Sequence, residues 1–386
     1  MSLKVDFQED NVYTTFEKRL KKALKDNNHR ELLALKIVDF SLYRDKHFKS
    51  YRIEPDSPSD KKSHNGIEKY LPTFGDITKA FSYNTPNKED KRNGLIIIPQ
   101  CLTVVQQVFW SHHIMRDLLS PTVCKTNLPE NLFTENLYEQ FVKETRPGKS
   151  KTYAKKKMSA LKWASYGYHI DWEKMEYHQN SSGVEGTGHF SPYPASLALL
   201  ASHIARSVLQ AGVAGKKPFY PETSIVHFHT ELDRVAGHKR DIEPDQAAPI
   251  ISLSLLNDAV ILVGGETKDA KPMAIRLKSG DVMIATGTSR HCVQGVTRVL
   301  SNTVSSNVLE GLIDRTLNSL SSGGNRDDVT GAVCDGEDAA AEEANDALKE
   351  YFRNLRIHIQ HRQVFPKRNE MTHQFYFLKN HELSYY

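Results

Sequence analysis

Hydrophobic and polar residues alternate strictly along Leu355-Arg-Ile-His-Ile-Gln-His-Arg-Gln363. Leu355, Ile357 and Ile359 lie on one side, and Arg356, His358, Gln360 and Arg362 on the other. Successive side chains of a strand point to opposite faces, so this stretch predicts a β-strand with a private polar face. Alternation of this kind first reports burial on one side, and an exposed strand with one wet face accounts for it. The same face carries two fixed guanidinium charges, however, and guanidiniums can hold a carboxylate bidentately, which is what a site for a small dicarboxylate needs. Both readings stand at this point.

Other short apolar stretches repeat the strand signal at Ser224–His229, Pro249–Leu256, Ala259–Val263, Met273–Leu277, Val282–Thr286 and Val296–Leu300, with Gly94–Pro99 as a short buried strand. Many short strands divided by Gly, Asp and Pro turns predict a sandwich or jelly roll. Helical spacing occurs over residues 14–26, with Phe16, Leu20 and Leu24 on one face, and a second apolar run follows from Leu32 to Phe40. A helix is predicted from Pro194 to Gln210, because Pro194 suits a first turn, Leu197, Leu200, Ile204 and Val208 line one face, and Gly212 can close it. Lys46 to Arg92 is polar and reads as a long surface connection. Residues 318–346, rich in Ser, Gly, Asp, Glu and Ala, read as a mobile insertion before the last strand.

With 386 residues, 39% hydrophobic and 25% charged, the chain has the composition of an ordinary soluble protein able to bury a large core as one elaborated domain or two. It has no apolar run long enough to cross a bilayer, and its first ten residues resemble neither a signal peptide nor a transit sequence, so an intracellular, soluble protein without a membrane partner is expected. Cys101, Cys124, Cys292 and Cys334 are scattered without C-x-x-C pairing, which argues against a disulfide framework or a zinc knuckle. A net charge of +4 is weakly basic, but it is unevenly placed. Lys143, Arg146, Lys149, Lys151, Lys155, Lys156 and Lys157 form one cluster, and Lys18, Arg19, Lys21, Lys22 and Lys25 another. Such clusters can neutralise phosphates or simply form a solvated surface.

Several phrases in order carry a more specific signal: Leu161-Lys-Trp-Ala-Ser-Tyr-Gly-Tyr-His-Ile-Asp-Trp172, Phe190-Ser-Pro-Tyr-Pro194, Pro249-Ile-Ile-Ser-Leu-Ser-Leu255, Ser279-Gly-Asp-Val-Met-Ile284 with Gly287, Ser289 and Arg290, and the strand from Arg356 to Arg362. Together they resemble the AlkB family, closest to its homologue-1 branch, from about Gly94 to Phe365. The resemblance implies an α+β protein built on a double-stranded β-helix (jelly roll), with flanking helices and an N-terminal helical extension. Residues 1–93 would form that extension and a polar linker, and residues 94–386 the AlkB-like domain. It further implies Fe(II) and 2-oxoglutarate as cofactors, and nucleic acid, DNA or tRNA, as partner, in the nucleus, cytoplasm or mitochondrion. Arg356 would pair with the distal carboxylate of 2-oxoglutarate, with Arg362 in support.

The metal ligands of that family form a His-x-Asp…His triad, in which two imidazoles and one carboxylate leave positions open on iron. Counted back from Pro249 without gaps, His238 takes the first histidine position and Arg240 the aspartate position. A one-residue shift recovers Asp241 but places Lys239 at the histidine. Gln294 takes the distal histidine position, and His291, three residues away, would face the other side of an extended strand. His238 and Asp241 are therefore conditional metal ligands of a triad read as broken. On Ile225-Val-His-Phe-His229, where the family contacts 2-oxoglutarate, His227 and His229 share a face. They are candidate cofactor contacts, could chelate a metal together with His238, or could be ordinary pocket residues. Lys155, Lys156, Lys157, Trp163 and Tyr166 are the candidate nucleic-acid contacts, with the aromatic segment Trp163, Tyr166, Tyr168 and Trp172 read either as a base-stacking lid or as core. Three functions follow: an oxidative demethylase, a catalytically degenerate binding module for nucleic acid or 2-oxoglutarate, and a scaffold binding neither.

Overall fold

The register of one sheet decides the layering of the molecule. This computed structural model describes residues 11–41, 45–53, 67–72, 79–145, 153–178, 189–210, 219–321 and 336–366, to which all structural statements apply. Taken in order across the larger sheet, its nine strands are β1 (Phe48–Arg52), β2 (Lys79–Tyr83), β3 (Leu95–Ile98), β13 (Val282–Ala285), β10 (Ile250–Leu256), β15 (Arg356–Arg362), β8 (Thr223–His229), β5 (Trp163–Gly167) and β4 (Lys125–Thr126). A second sheet runs β12 (Met273–Leu277), β11 (Asp258–Val263), β14 (Gln294–Leu300) and β9 (Val235–His238), and β6 (Ile170–Asp171) pairs with β7 (Glu176–Tyr177). Paired residues share a face, so Gln360, opposite Ser252, lies on the same side as Met283, Ile97 and Phe81.

The other side of the larger sheet is mainly apolar, with Ser224 and His361 hydrogen-bonded to each other at 2.7 Å near one end. Ile96, Tyr166, Val226, Phe228, Leu253, Leu255, Ile357 and Ile359 pack there with residues of α3 (Val104–His113), α4 (Leu137–Glu144), α6 (Ala195–Gln210), α7 (Ser306–Ser321) and α8 (Gly336–Asn354). In α6, Leu197, Leu200, Ile204 and Val208 are fully buried, as their spacing predicts. In α3, Thr103 and Gln106 form a capping box that satisfies two otherwise orphaned N–H groups and fixes where the helix begins.

The inner face divides in two. At the β1–β2–β3–β13 end it is dry, with Phe48, Phe81, Leu95, Ile97 and Met283 meeting Ile261, Val263, Met273 and Ile275 of the second sheet. At the β10–β15–β8 end the same face is polar, and the two sheets enclose that polarity. This is the jelly-roll type of fold, with helices on the outer face of the larger sheet.

Outside the second sheet, α1 (Val12–Lys25) and α2 (His29–Leu35) cover Val260, Leu262 and Val293 with Tyr13, Phe16, Leu20 and Leu35. Tyr13 sits in a notch that needs glycines. A Cβ on Gly237 would fall 2.4 Å from its Cε1, and one on Gly295 would fall 2.9 Å from its hydroxyl.

Two expectations change. The polar stretch Lys46–Arg92 is not simply a surface connection, because it supplies β1 and β2, whose Phe48, Phe81 and Tyr83 are buried. Residues 318–346, expected as an insertion, include the end of α7 and the start of α8, and 322–335 lie outside the described residues.

Candidate functional site

All seven residues of β15 are buried, so its polar face is an interior surface and not a wet one. In register, Arg356 lies opposite His229 and His358 opposite His227 on β8, while His358 lies opposite Ser254 on β10. Arg356 donates from Nη2 to Ser254 Oγ at 2.7 Å, leaving its Nε and Nη1 without an acceptor. Gln360 Nε2, Arg362 Nε, His358 Nε2 and His229 Nδ1 are buried and unpartnered on the same face. Each such group costs about 1–3 kcal/mol if it stays unsatisfied, so the unpaired N–H donors of Arg356, Gln360 and Arg362 mark a place suited to an acceptor-rich anion, the neutral imidazoles offering either a donor or an acceptor there.

The rings of His227 and His229 lie 5.3 Å apart, and those of His227 and His358 5.8 Å apart, nearly parallel in both pairs. Burial pushes all three imidazoles down, to about 3 for His229, with neighbouring guanidiniums or imidazoles adding to the effect. They are therefore neutral at pH 7, and the fixed charge at this end belongs to the arginines. Burial lowers Arg356 only to about 10, so it stays cationic.

Glu243, which the sequence did not single out, is the counter-charge. Its fully buried carboxylate accepts from Arg290 Nη2 at 2.7 Å and from Arg362 Nη1. Arg290 also donates to the carbonyls of Ala248 and Arg240, and Arg362 Nη2 donates to Gln360 Oε1 at 2.9 Å. Arg362 is thus held in place by Glu243 and positions Gln360, while Arg356 keeps two donors for a ligand. The sequence signal was slight: one acid among basic residues in a segment already hard to register.

The structure selects the gapless register at the triad positions. His238 pairs with Gln294 across β9 and β14, and Arg240, buried, donates from Nη1 to Gln294 Oε1. The positions that match the family's aspartate and distal histidine are therefore in contact, but they are a cation and an amide. Burial, with Arg362 adding, lowers Arg240 to about 9, so it too is cationic at neutral pH. Asp241 and Lys239 are exposed, and Asp241 does not join His238 in a group of metal-ligating side chains among the described residues. His238 lies at the exposed rim with Nδ1 2.9 Å from the Ala236 carbonyl. His227, His229 and His238 do not converge as a metal cluster among the described residues, where the grouping that does is Asp171, His178 and His189.

Tyr166 is fully buried in the helix-facing core with its hydroxyl 3.3 Å from the Leu118 carbonyl, so it packs and cannot stack on a base. Tyr168 is buried as well. Trp163 is opposite His227 on the inner face and lies 6.1 Å from Trp172, which is 54% exposed. These two rings border a hollow with Lys125, Ser165, His169 and Ile225, adjoining the polar end of the jelly roll. On α5 (Tyr153–Ala160), which leads into β5, Lys156 is exposed and Lys157 half-exposed; the side chain of Lys155 is outside what is described.

A jelly roll with a buried arginine strand at its mouth defines a class, and the comparisons agree. Residues 111–362 match the model of the 2OG-Fe(II) oxygenase superfamily, and the chain belongs to that superfamily. Within it the chain is of AlkB type, on the homologue-1 branch. It is 27% identical over 305 residues to the DNA N(6)-methyladenine demethylase ALKBH1A of Arabidopsis thaliana, covering 72% of this chain and 76% of that protein. It is 30% identical over 216 residues to the nucleic acid dioxygenase ALKBH1 of Homo sapiens, covering 54% and 51%, and 32% identical over 152 residues to the tRNA demethylase abh1 of Schizosaccharomyces pombe, covering 39% and 46%. The chain thus spans about half the length of the human and yeast relatives.

The superfamily takes Fe(II) and 2-oxoglutarate as cofactors. The unpaired donors of Arg356, Gln360 and Arg362 fit a dicarboxylate. The iron position does not fit: a guanidinium has no lone pair to give and repels a dication, so His238 and Gln294 alone cannot supply the facial set.

Proposed function

We propose that this chain is an AlkB-type nucleic-acid-binding protein that holds a small dicarboxylate of the 2-oxoglutarate kind but does not carry out iron-dependent demethylation. The observation that carries this reading is the Arg240–Gln294 hydrogen bond, which joins two former ligand positions through a cation. Arg356, backed by Ser254, would take the distal carboxylate, and the neutral His227 and His229 would wall the site beside Trp163. Since Arg240 adds positive charge to this end, the anion gains a cationic partner that does not depend on metal.

The test is calorimetric titration of the chain with 2-oxoglutarate in the presence of a chelator, alongside succinate release on N-methylated DNA and tRNA. Binding without metal and without succinate is expected. Succinate release abolished by His238→Ala would defeat the proposal. Arg356→Met is expected to weaken 2-oxoglutarate binding at least tenfold, and Arg356→Lys nearly as much, because a lysine cannot reproduce the planar fork.

The nucleic-acid half of the proposal rests on Lys155, Lys156 and Lys157 preceding the Trp163–Trp172 pair, and on the names of the relatives. Neutralising the three lysines together should weaken single-stranded DNA or tRNA binding and lower the slope of log K against log salt by about 0.7–0.9 for each phosphate no longer neutralised. An unchanged slope, measured by fluorescence anisotropy across a salt series, would remove this surface from the interface.

A further inference from the structure

We propose that Asp171, His178 and His189 form a site for a divalent transition-metal ion of the zinc kind, separate from the jelly-roll mouth and independent of whether that mouth binds a dicarboxylate. One ligand atom from each residue lies within 4.8 Å of the other two, and all three residues are half-buried. His178 Nε2 is 2.9 Å from Asp171 Oδ2, and the rings of His178 and His189 are 4.3 Å apart. Two imidazoles and one carboxylate with a position left open is a donor set that zinc accepts, whereas Mg(II) and Ca(II) call for oxygen ligands.

Two features go beyond proximity. The carboxylate is aimed before any ion arrives, because Asp171 Oδ1 accepts from the backbone N–H groups of Glu173 at 3.0 Å and Lys174 at 3.1 Å. The far nitrogen of His178, Nδ1, lies 3.7 Å from Glu176 Oε1. That is longer than a hydrogen bond, but it places a carboxylate on the side of the ring away from Asp171, where it can close onto Nδ1 once Nε2 is taken as ligand. Lys174 Nζ is 3.9 Å from Asp171 Oδ2, but its side chain is 64% exposed and can turn into solvent.

The position of the cluster suggests what the ion would do. Asp171 and His178 belong to the β6–β7 hairpin, which carries Trp172. His189 is tied to the end of β5 by the His169 N–H donating to the His189 carbonyl at 2.8 Å, and Ser191 N–H donates to the Gly167 carbonyl at 2.9 Å. An ion bound by all three would clasp the hairpin to the sheet and set the exposed Trp172 against Trp163.

The full chain, stripped with a chelator and dialysed, is titrated with Zn(II) against a chromogenic competitor, and with Co(II) for its ligand-field absorption. One equivalent is expected. His178→Gln and His189→Gln should each weaken binding by more than about 100-fold, since even residues that only support a ligand are worth 10–100-fold, while His238→Ala leaves binding unchanged. Circular dichroism melts of the metal-free variants matching metal-free wild type would show that the fold is retained. Binding that survives either substitution, that is lost in His238→Ala instead, or that never reaches stoichiometry overturns the assignment.

Discussion

Glu243→Gln should cost about 3–5 kcal/mol of stability, because it leaves Arg290 and Arg362 buried without their anion, and one partner removed from a buried ion pair exposes the full desolvation penalty of the other. The carboxylate is 1% exposed, so solvent does not screen the loss. At about 2 °C per kcal/mol for a large domain, the melting temperature should fall by roughly 6–10 °C. Burial alone would raise the Glu243 carboxyl, but Arg362 and Arg290 outweigh it and hold it below its ordinary value. A carboxyl whose pKa is depressed on folding stabilises the fold above the unfolded pKa, about 4.3, and loses that contribution as pH falls through the folded value. The wild-type melting temperature should therefore drop along an acid limb below about pH 4–5 that is shallower in the glutamine variant. A loss under about 1 kcal/mol, or acid limbs that superimpose, would mean that the two guanidiniums find other acceptors and that Glu243 is not their anchor.

The same residues show what was legible beforehand. Alternation along Leu355–Gln363 placed Arg356, His358, Gln360 and Arg362 on one face, and the register confirms it, because period-two geometry follows from the strand itself. Whether that face met water was not legible. It depends on a second sheet whose strands are distant in sequence, and on Glu243, which neutralises two of the arginines from a loop. Counting back from Pro249 without gaps puts Arg240 at the aspartate position, the segment after Ser289-Arg290 puts Gln294 at the distal histidine position, and their contact agrees with that alignment. The aromatic segment misled in part. Tyr166 and Trp163 sit three apart on one strand, so they must face opposite ways, and only Trp163 reaches the inner face. Asp171, His178 and His189 share no helical or strand spacing in the sequence; the β6–β7 hairpin and the backbone bonds that hold His189 and Ser191 beside β5 bring them together.

Arg240→Asp combined with Gln294→His should create metal binding at the jelly-roll mouth, with an affinity for Mn(II) or Co(II) about 100-fold above the parent. The comparison belongs in a His178→Gln, His189→Gln background, so that the site proposed near Trp172 does not report. Either change alone should do little, within about threefold. Gln294→His by itself adds an imidazole beside a buried guanidinium that repels the ion, and Arg240→Asp by itself leaves one histidine and a carboxylate that Arg290 and Arg362 compete for. A 100-fold gain confined to the double variant is about 2.7 kcal/mol of coupling, near the upper end of the 0.5–3 kcal/mol seen between residues in one network. The backbone can accommodate the pair, since Arg240 and Gln294 already touch, and the Arg240 carbonyl that accepts from Arg290 is unaffected by its side chain. If Arg240→Asp alone delivers the whole gain, Gln294 is not a ligand position. If the parent already binds through His238 with Arg240 in place, the guanidinium does not bar the ion, and the reading of this chain as a binder without turnover fails with it.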